Sequence, residues 1–289
     1  MKQTKVTIGI VTKNRASILP RAIESAIQQS IESKEIVVID DCSEDATLEI
    51  ISSYPEVQCI SWSVNHGHMY GRNYIMKNAR SDYFCSLDDD AWFLKGDELE
   101  IACNLMDDNP DVAAVAFDIL SPDRPDQKIR SAPIETNQFI GCGHVLRLSA
   151  VKEVGYYQYF PGRYGAEEKD LSIALMEINY KLLFLPGVHV WHEKTTLERN
   201  MFETHRSAVC NDLIFAYRRT PALLLFPSII NKLLKHLAFA ITSKNSEFTK
   251  GCILGIRDFM RQLNAKQVQR KPVGYRTLLK YNSLNRWQL

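Results

Sequence analysis

The seven cysteines of this 289-residue chain are scattered singly, with no Cys-x-x-Cys pair. That spacing argues against a zinc ribbon or a disulfide framework and fits a reducing compartment. A signal-peptide pattern is also missing, because Met1-Lys2-Gln3-Thr4-Lys5 passes straight into an apolar stretch. No uncharged run is long enough to span a bilayer. These absences together predict a cytoplasmic protein. The loop after the first apolar run, Thr12-Lys13-Asn14-Arg15, contains no glycine. A nucleotidyltransferase that makes sugar nucleotides would need a glycine-rich phosphate loop there, so that function ranks low. Acidic residues are absent after Asp258.

The last absence exposes a division that the net charge of +1 conceals. From Met201 to Leu289 there are 15 Lys and Arg against 4 Asp and Glu, a net of +11, and the remainder carries −10. An acidic body and a basic C-terminal region are expected to be separate functional parts. The length suits one large α/β domain with an appendage.

In the body, apolar runs alternate with amphipathic stretches. Strands are predicted at Val6–Val11, Glu35–Ile39, Val57–Ile60, Tyr83–Leu87 and Val112–Phe117. Ser17 is a candidate N-cap for a helix with Pro20 in its first turn, and helices are expected after Ser43 and over Leu99–Met106. This alternation predicts an α/β fold with a mainly parallel, doubly wound sheet flanked by helices. Polar groups at the strand ends would then converge along one edge.

The most telling stretch is Tyr83-Phe84-Cys85-Ser86-Leu87, which stops at Asp88-Asp89-Asp90. At an effective dielectric of ~20 and a separation of ~4 Å, each pair of such charges repels by about 4 kcal/mol. Two readings stand: a solvated acidic turn, or oxygen ligands for a hard divalent cation, Mn²⁺ or Mg²⁺, that also takes phosphate oxygens. Further along, Asp118–Asn137 holds three prolines and reads as a long loop. Phe139–Leu146 is a strand punctuated by Gly141 and Gly143, as where a backbone passes close to a ligand. Tyr156–Tyr164 is rich in aromatics, which either stack on a sugar face or pack under the loop. Glu167, Glu168 and Asp170 open a helix, where capping is the simplest role. Leu182–Leu185 is a strand, Pro186-Gly187 a turn, and His192 stands where it could complete a metal shell.

In order along the first 200 residues, these motifs resemble a family 2 inverting glycosyltransferase of the GT-A fold. The matching elements are Thr12-Lys13-Asn14-Arg15, Ile39-Asp40-Asp41-Cys42-Ser43, Asn65-His66-Gly67 with Gly71-Arg72-Asn73, Asp88-Asp89-Asp90, Glu167-Glu168-Lys169-Asp170-Leu171 and His192. The chain departs from the family's pattern at Cys42, which replaces a glycine, and at Glu168, which replaces the usual Asp.

The resemblance implies a catalytic domain over 1–200, with nucleotide-sugar binding in about 1–117 and acceptor binding in about 118–200. It implies that Thr12 and Asp41 hold base and ribose, Asp40 less directly, with Asn14, Arg15, Gly67 and Arg72 at the nucleotide. Asp88 would lie at the ribose or sugar, and Asp89 would belong to the nucleotide-sugar site. Asp90 and His192 would bind the metal, with Asp88 reaching it through water. Glu168 would be the general base and Glu167 its fallback, and Gly141, Gly143, Tyr164 and Asp170 would line the sugar or acceptor pocket. The donor would be a nucleoside-diphosphate sugar and the acceptor a glycan, a lipid-linked molecule or a small molecule. The rival reading is a non-catalytic sugar-nucleotide or glycan-binding protein.

The C-terminal region, 201–289, reads as basic amphipathic helices, two of them flanking Pro227 and a further one from Phe248 to Met260. They pack on the body or on a second subunit in a homo-oligomer, or they make peripheral contact with the inner face of a membrane. No nucleic-acid motif accompanies the charge.

Overall fold

A computed structural model describes residues 5–125, 132–161, 165–194 and 200–284. The chain divides into two compact units. The first comprises residues 1–156, 179–195 and 284–289, and the second comprises 157–178 and 196–283.

The first unit is an α/β sheet structure. Its strands are β1 (Val6–Thr12), β2 (Lys34–Asp41), β3 (Val57–Trp62), β4 (Tyr83–Leu87), β5 (Ala91–Phe93), β6 (Val112–Leu120), β7 (Ile134–Thr136), β8 (Gly143–Arg147) and β9 (Lys181–His192). Its helices are α1 (Leu19–Ile27), α2 (Thr47–Ser52), α3 (His68–Asn78), α4 (Glu98–Asp108) and α5 (Leu148–Val154). The sheet order is β3-β2-β1-β4-β8-β6-β9-β5, with β7 on β9. β3, β2, β1 and β4 run parallel, whereas β8 is antiparallel to both β4 and β6. The sequence-predicted parallel sheet is therefore the N-terminal half, and the other half is mixed. The parallel strands are continuous apolar runs because both faces are covered: Ile8, Ile10, Val38 and Phe84 are fully buried.

Several local expectations change. α1 has no side-chain cap; Ile18 and Leu19 instead donate to the Arg15 carbonyl, so a backbone turn does the work expected of Ser17. Pro186-Gly187 does not end a strand. β9 runs through it, and the register against β6 jumps from Phe117↔Leu185 to Asp118↔His189. Such a bulge absorbs the missing proline N–H. Gly143 is crowded by its neighbours in the sheet. A Cβ there would lie 2.8 Å from Ile119 Cδ1 and 3.2 Å from Val190 Cβ, so its small size serves packing within the sheet.

The second unit is helical: α6 (Glu167–Glu177), α7 (Met201–Arg219), α8 (Ala222–Thr242), α9 (Ser246–Asn264) and α10 (Tyr275–Ser283). Sequence reasoning divided the chain at residue 200, but α6 groups with the C-terminal helices. Arg219 of α7 grips fully buried Asp170 with two bonds of 2.6 Å, and Gly274 N donates to Glu177 at 3.0–3.1 Å. Pro227 lies inside a single helix, α8, rather than between two. As the sixth residue of α8 it takes away one helical bond, that to the Leu223 carbonyl, which an exposed helix can give to water.

Candidate active site

The carboxyl ends of β1, β2 and β4 deliver polar side chains to one edge of the sheet unit, where open α/β sheets bind ligands. Thr12 closes β1 beside Asp40, its register partner at the end of β2. The three carboxylates after β4 do not share one partner. Asp88 Oδ1 pairs with Arg72 Nη2 at 2.5 Å, Asp89 Oδ2 accepts from Thr12 Oγ1 at 2.8 Å, and Asp90 Oδ1 lies 3.2 Å from His192 Nε2. Arg15 Nε stands 3.7 Å from Asp89 Oδ1. The repulsion expected of the triplet is thus met by three different groups, each from a different element. β5 explains the third pairing: it runs antiparallel to β9 with Ala91 opposite His192, which sets Asp90 beside the imidazole.

The protein leaves the triplet unevenly exposed. The Asp88 side chain is 33% exposed and that of Asp90 only 9%, so Asp88 faces outward. Burial pushes the Asp89 carboxyl up to about 7; Thr12 opposes the rise, Asp90 adds to it, Arg15 opposes it and Asp88 adds again.

Asp88, Cys142 and His192 offer ligand atoms within 4.8 Å of one another. With Asp90 against His192, the oxygen and imidazole donors fit a hard or borderline divalent cation. Cys142 suits it less. Burial, then Asp88 and Asp90, hold its thiol well above the usual range, and a thiol must ionise to ligate.

Around this centre lies a scaffold of loops. Asp41 accepts from the backbone N–H groups of His66 and Gly67, both at 2.7 Å, and so fixes the loop that starts α3. Gly67 there has φ +86°, a conformation glycine adopts freely. Asp40 accepts from Ser43 N at 3.1 Å and from Ser61 Oγ at 3.3 Å. Asn14 is left-handed, with φ 54°; its N–H donates to Ser43 Oγ and its Oδ1 accepts from Glu44 N. Asn14, Asp40 and Asp41 therefore shape the rim through hydrogen bonds to backbone, while Thr12, Arg15, Arg72, the triplet and His192 form its centre. Arg72 also reaches the Gly141 carbonyl at 3.2 Å, which ties the β8 approach to the same centre.

The remaining predicted residues belong to the second unit or fall outside the described residues. Glu167 and Glu168 stand in the first turn of α6 in the second unit, Glu167 buried and Glu168 half-buried. Ala166 before them is left-handed at φ 80°, and Asn211 Nδ2 holds the Gly165 carbonyl at 3.0 Å. Asp170, expected in the sugar or acceptor pocket, spends both oxygens on Arg219 and anchors α6 on α7. Tyr164 lies outside the described residues. Sequence reasoning missed Cys142, although it sits between the two glycines singled out. It also missed the edge-on contact of Trp62 and His66, 5.1 Å between ring centroids, beside the loop that Asp41 holds.

Comparison with known proteins fits this geometry. A solved structure of Staphylococcus aureus TarS in complex with UDP-GlcNAc superposes with a TM-score of 0.65 at 18% identity, covering 89% of this chain and 81% of that one. The mannosyltransferase PcManGT of Pyrobaculum calidifontis, in complex with GDP-Man and Mn²⁺, gives a TM-score of 0.61 at 14% identity over 90% and 88% of the two chains. At such identities these likenesses show the fold, that of GT-A glycosyltransferases. An uncharacterised glycosyltransferase of Rickettsia typhi is 25% identical over 204 residues, 64% of this chain and 64% of its own length. The chain spans less than two thirds of the length of the curated relatives it matches. The model of the family "Glycosyl transferase family 2" matches residues 7–165, more than half of the chain, which therefore belongs to glycosyl transferase family 2.

Proposed function

We propose that this glycosyltransferase moves a sugar from a nucleoside-diphosphate sugar to an acceptor hydroxyl, inverts the anomeric centre, and does so with Mn²⁺ or Mg²⁺ bound. The observation that carries the reading is the meeting of Asp88, Asp90 and His192 at one strand edge, next to Thr12, Arg15 and Arg72. Asp90 and His192 are the ligands we assign, with Asp88 beside them. A cation held there supplies positive charge to the diphosphate leaving group. Arg72, nearly buried against Asp88, orients that carboxylate toward ribose or sugar. Thr12 and Arg15 hold Asp89 in place, and the Asn14, Asp40 and Asp41 bonds keep the nucleotide rim rigid enough to position base and ribose.

Glu168 is the group we assign as general base, accepting the proton of the acceptor hydroxyl as it attacks from the face opposite the leaving group. Glu167 is its fallback. The donors bound in the TarS and PcManGT structures support a nucleotide-sugar donor here. The acceptor class is a glycan, a lipid-linked molecule or a small molecule of polysaccharide, glycolipid or glycoconjugate synthesis.

The test is release of nucleoside diphosphate from a panel of sugar nucleotides in Mn²⁺, for the parent chain, Glu168→Gln and Asp90→Asn. Each substitution should lower turnover by 10²-fold or more. Turnover that survives both would overturn the assignment, and pyrophosphate formation would reassign the chain to nucleotidyl transfer.

A further inference from the structure

Helix α8 is apolar on the face it shows to solvent as well as on the face it packs. An ordinary surface helix buries an apolar stripe and shows a polar face. Here polar residues share the face turned toward the unit with Leu225, Ile229, Leu233 and Ala240. Lys232 Nζ and His236 Nε2 lie 3.4 and 3.2 Å from Asp212 of α7, whose other partner is Lys169 at 3.2 Å. Thr220 Oγ1 meets Ser228 Oγ at 3.4 Å. Among the described residues of α8 only Ala240 is fully buried.

The outward face carries Leu223, Phe226, Ile230, Leu234, Leu237 and Ile241, all exposed, from 39% for Ile230 to 82% for Leu223. Their spacing of three, four, four, three and four residues keeps them on one side of the helix. α9 repeats the theme with Ile253 and Met260, 60% and 49% exposed, beside exposed Lys250, Arg257 and Arg261. A soluble protein rarely leaves a continuous apolar stripe of this length in water.

Charge decides between the candidate occupants. Between residues 222 and 284 there are 11 Lys and Arg against only Glu247 and Asp258, and Asp258 is tied to Arg206. Two copies of such a surface repel one another, whereas an anionic bilayer attracts both its basic rim and its apolar stripe. α8 is long and apolar enough to cross a membrane by length and composition alone. The Asp212 bonds to Lys232 and His236 instead hold it flat, because crossing would strip that network away.

We infer that α8 and α9 form a docking surface that lies in the interface of an anionic lipid bilayer, with Leu223, Phe226, Ile230, Leu234, Leu237 and Ile241 among the acyl chains and the basic residues at the headgroups. This goes beyond glycosyl transfer and does not depend on it.

The experiment is flotation of the full chain with phosphatidylglycerol-containing vesicles and with pure phosphatidylcholine vesicles, at low and high salt, together with its mass in solution by light scattering. The chain should float with anionic vesicles at least 10-fold more than with neutral ones, and high salt should weaken it. Ile230→Glu with Leu234→Glu should abolish flotation. Lys235→Glu with Arg257→Glu should lower it at least 10-fold. All four positions are exposed or nearly so, and circular dichroism and donor hydrolysis should stay at parental level. Failure to float with anionic vesicles overturns the inference, as does flotation unchanged in the Ile230→Glu, Leu234→Glu variant. A stable dimer that this variant dissociates, without vesicle binding by the parent, would give the stripe to a second copy instead.

Discussion

His192 Nε2 lies 3.2 Å from Asp90 Oδ1, although more than a hundred residues separate them in the chain. The contact exists because β5, only three residues long, turns back against the end of β9. On the proposed assignment the pair shares one cation. His192→Ala should then raise the Mn²⁺ concentration needed for half-maximal donor hydrolysis by 10-fold or more, with turnover at saturating Mn²⁺ recovering in part. Chelation should silence the parent chain, and added Mn²⁺ should restore it. Titrating Mn²⁺ against hydrolysis in parent and variant checks both. Equal metal dependence in the two would remove His192 from the shell.

Cys42 occupies the left-handed region at φ 68°, where a side chain costs about 1–2 kcal/mol. Its thiol donates weakly to the Ser63 carbonyl at 3.4 Å, a small return. Glycine relieves the strain but gives the unfolded chain extra freedom, which costs the fold roughly 0.5–1 kcal/mol. Cys42→Gly should therefore stabilise the first unit by about 0.5–1 kcal/mol, a rise of ~2 °C in melting temperature. Differential scanning fluorimetry measures this, and a fall would show that the thiol contact outweighs the strain.

The contrast between β4 and α7 shows what the sequence makes legible. β4 is an unbroken apolar run because both faces of a parallel strand are covered, so the acidic triplet that ends it could be placed at a sheet edge. The motif order then pointed to the family. α7 escaped because its inward positions include His205, Asn211, Arg218 and Arg219. Buried polar side chains erase the apolar period on which helix recognition depends. β5 is too short to give a pattern at all. Proline misled twice. Pro186 reads as a turn and Pro227 as a break, yet a bulge and an exposed helix accommodate them. At the site, the types and order of Asp88, Asp90 and His192 were readable. Their pairing with Arg72, Thr12 and one another was not, since it follows from register between distant strands.

Arg219 and Asp170 meet through two parallel bonds of 2.6 Å in a dry setting. Removing one partner from such a pair strands the other charge and costs about 3–5 kcal/mol. Arg219→Met should thus destabilise the helical unit severely. Adding Asp170→Leu should recover only part of the loss, because Arg218, whose Nε lies 3.3 Å from Asp170 Oδ1, then loses its carboxylate. Urea unfolding of the two single variants and the double variant gives the coupling. Additive losses would show that the two side chains act independently.

His144 provides a handle on pH. It is wholly buried in β8, its Nδ1 lies 2.8 Å from the Ile140 carbonyl, and its ring lies against Phe139 with centroids 4.3 Å apart. Burial, and secondarily the positive charge of Arg72, push its pKa down from 6.5 to about 3, with the Ile140 bond pulling weakly the other way. The sign follows from linkage. Between those two values the unfolded chain binds a proton that the folded chain refuses, so acid favours unfolding. The contribution of His144 to stability should be complete above pH 6.5 and be lost progressively as the pH falls toward 3. His144→Gln removes the titration and should flatten that part of the curve, even if the variant is less stable at neutral pH. Urea midpoints at half-unit steps from pH 7.5 to 4 measure the slope. An identical slope in parent and variant would show that His144 does not govern it, and a steeper slope in the variant would reverse the sign argued here.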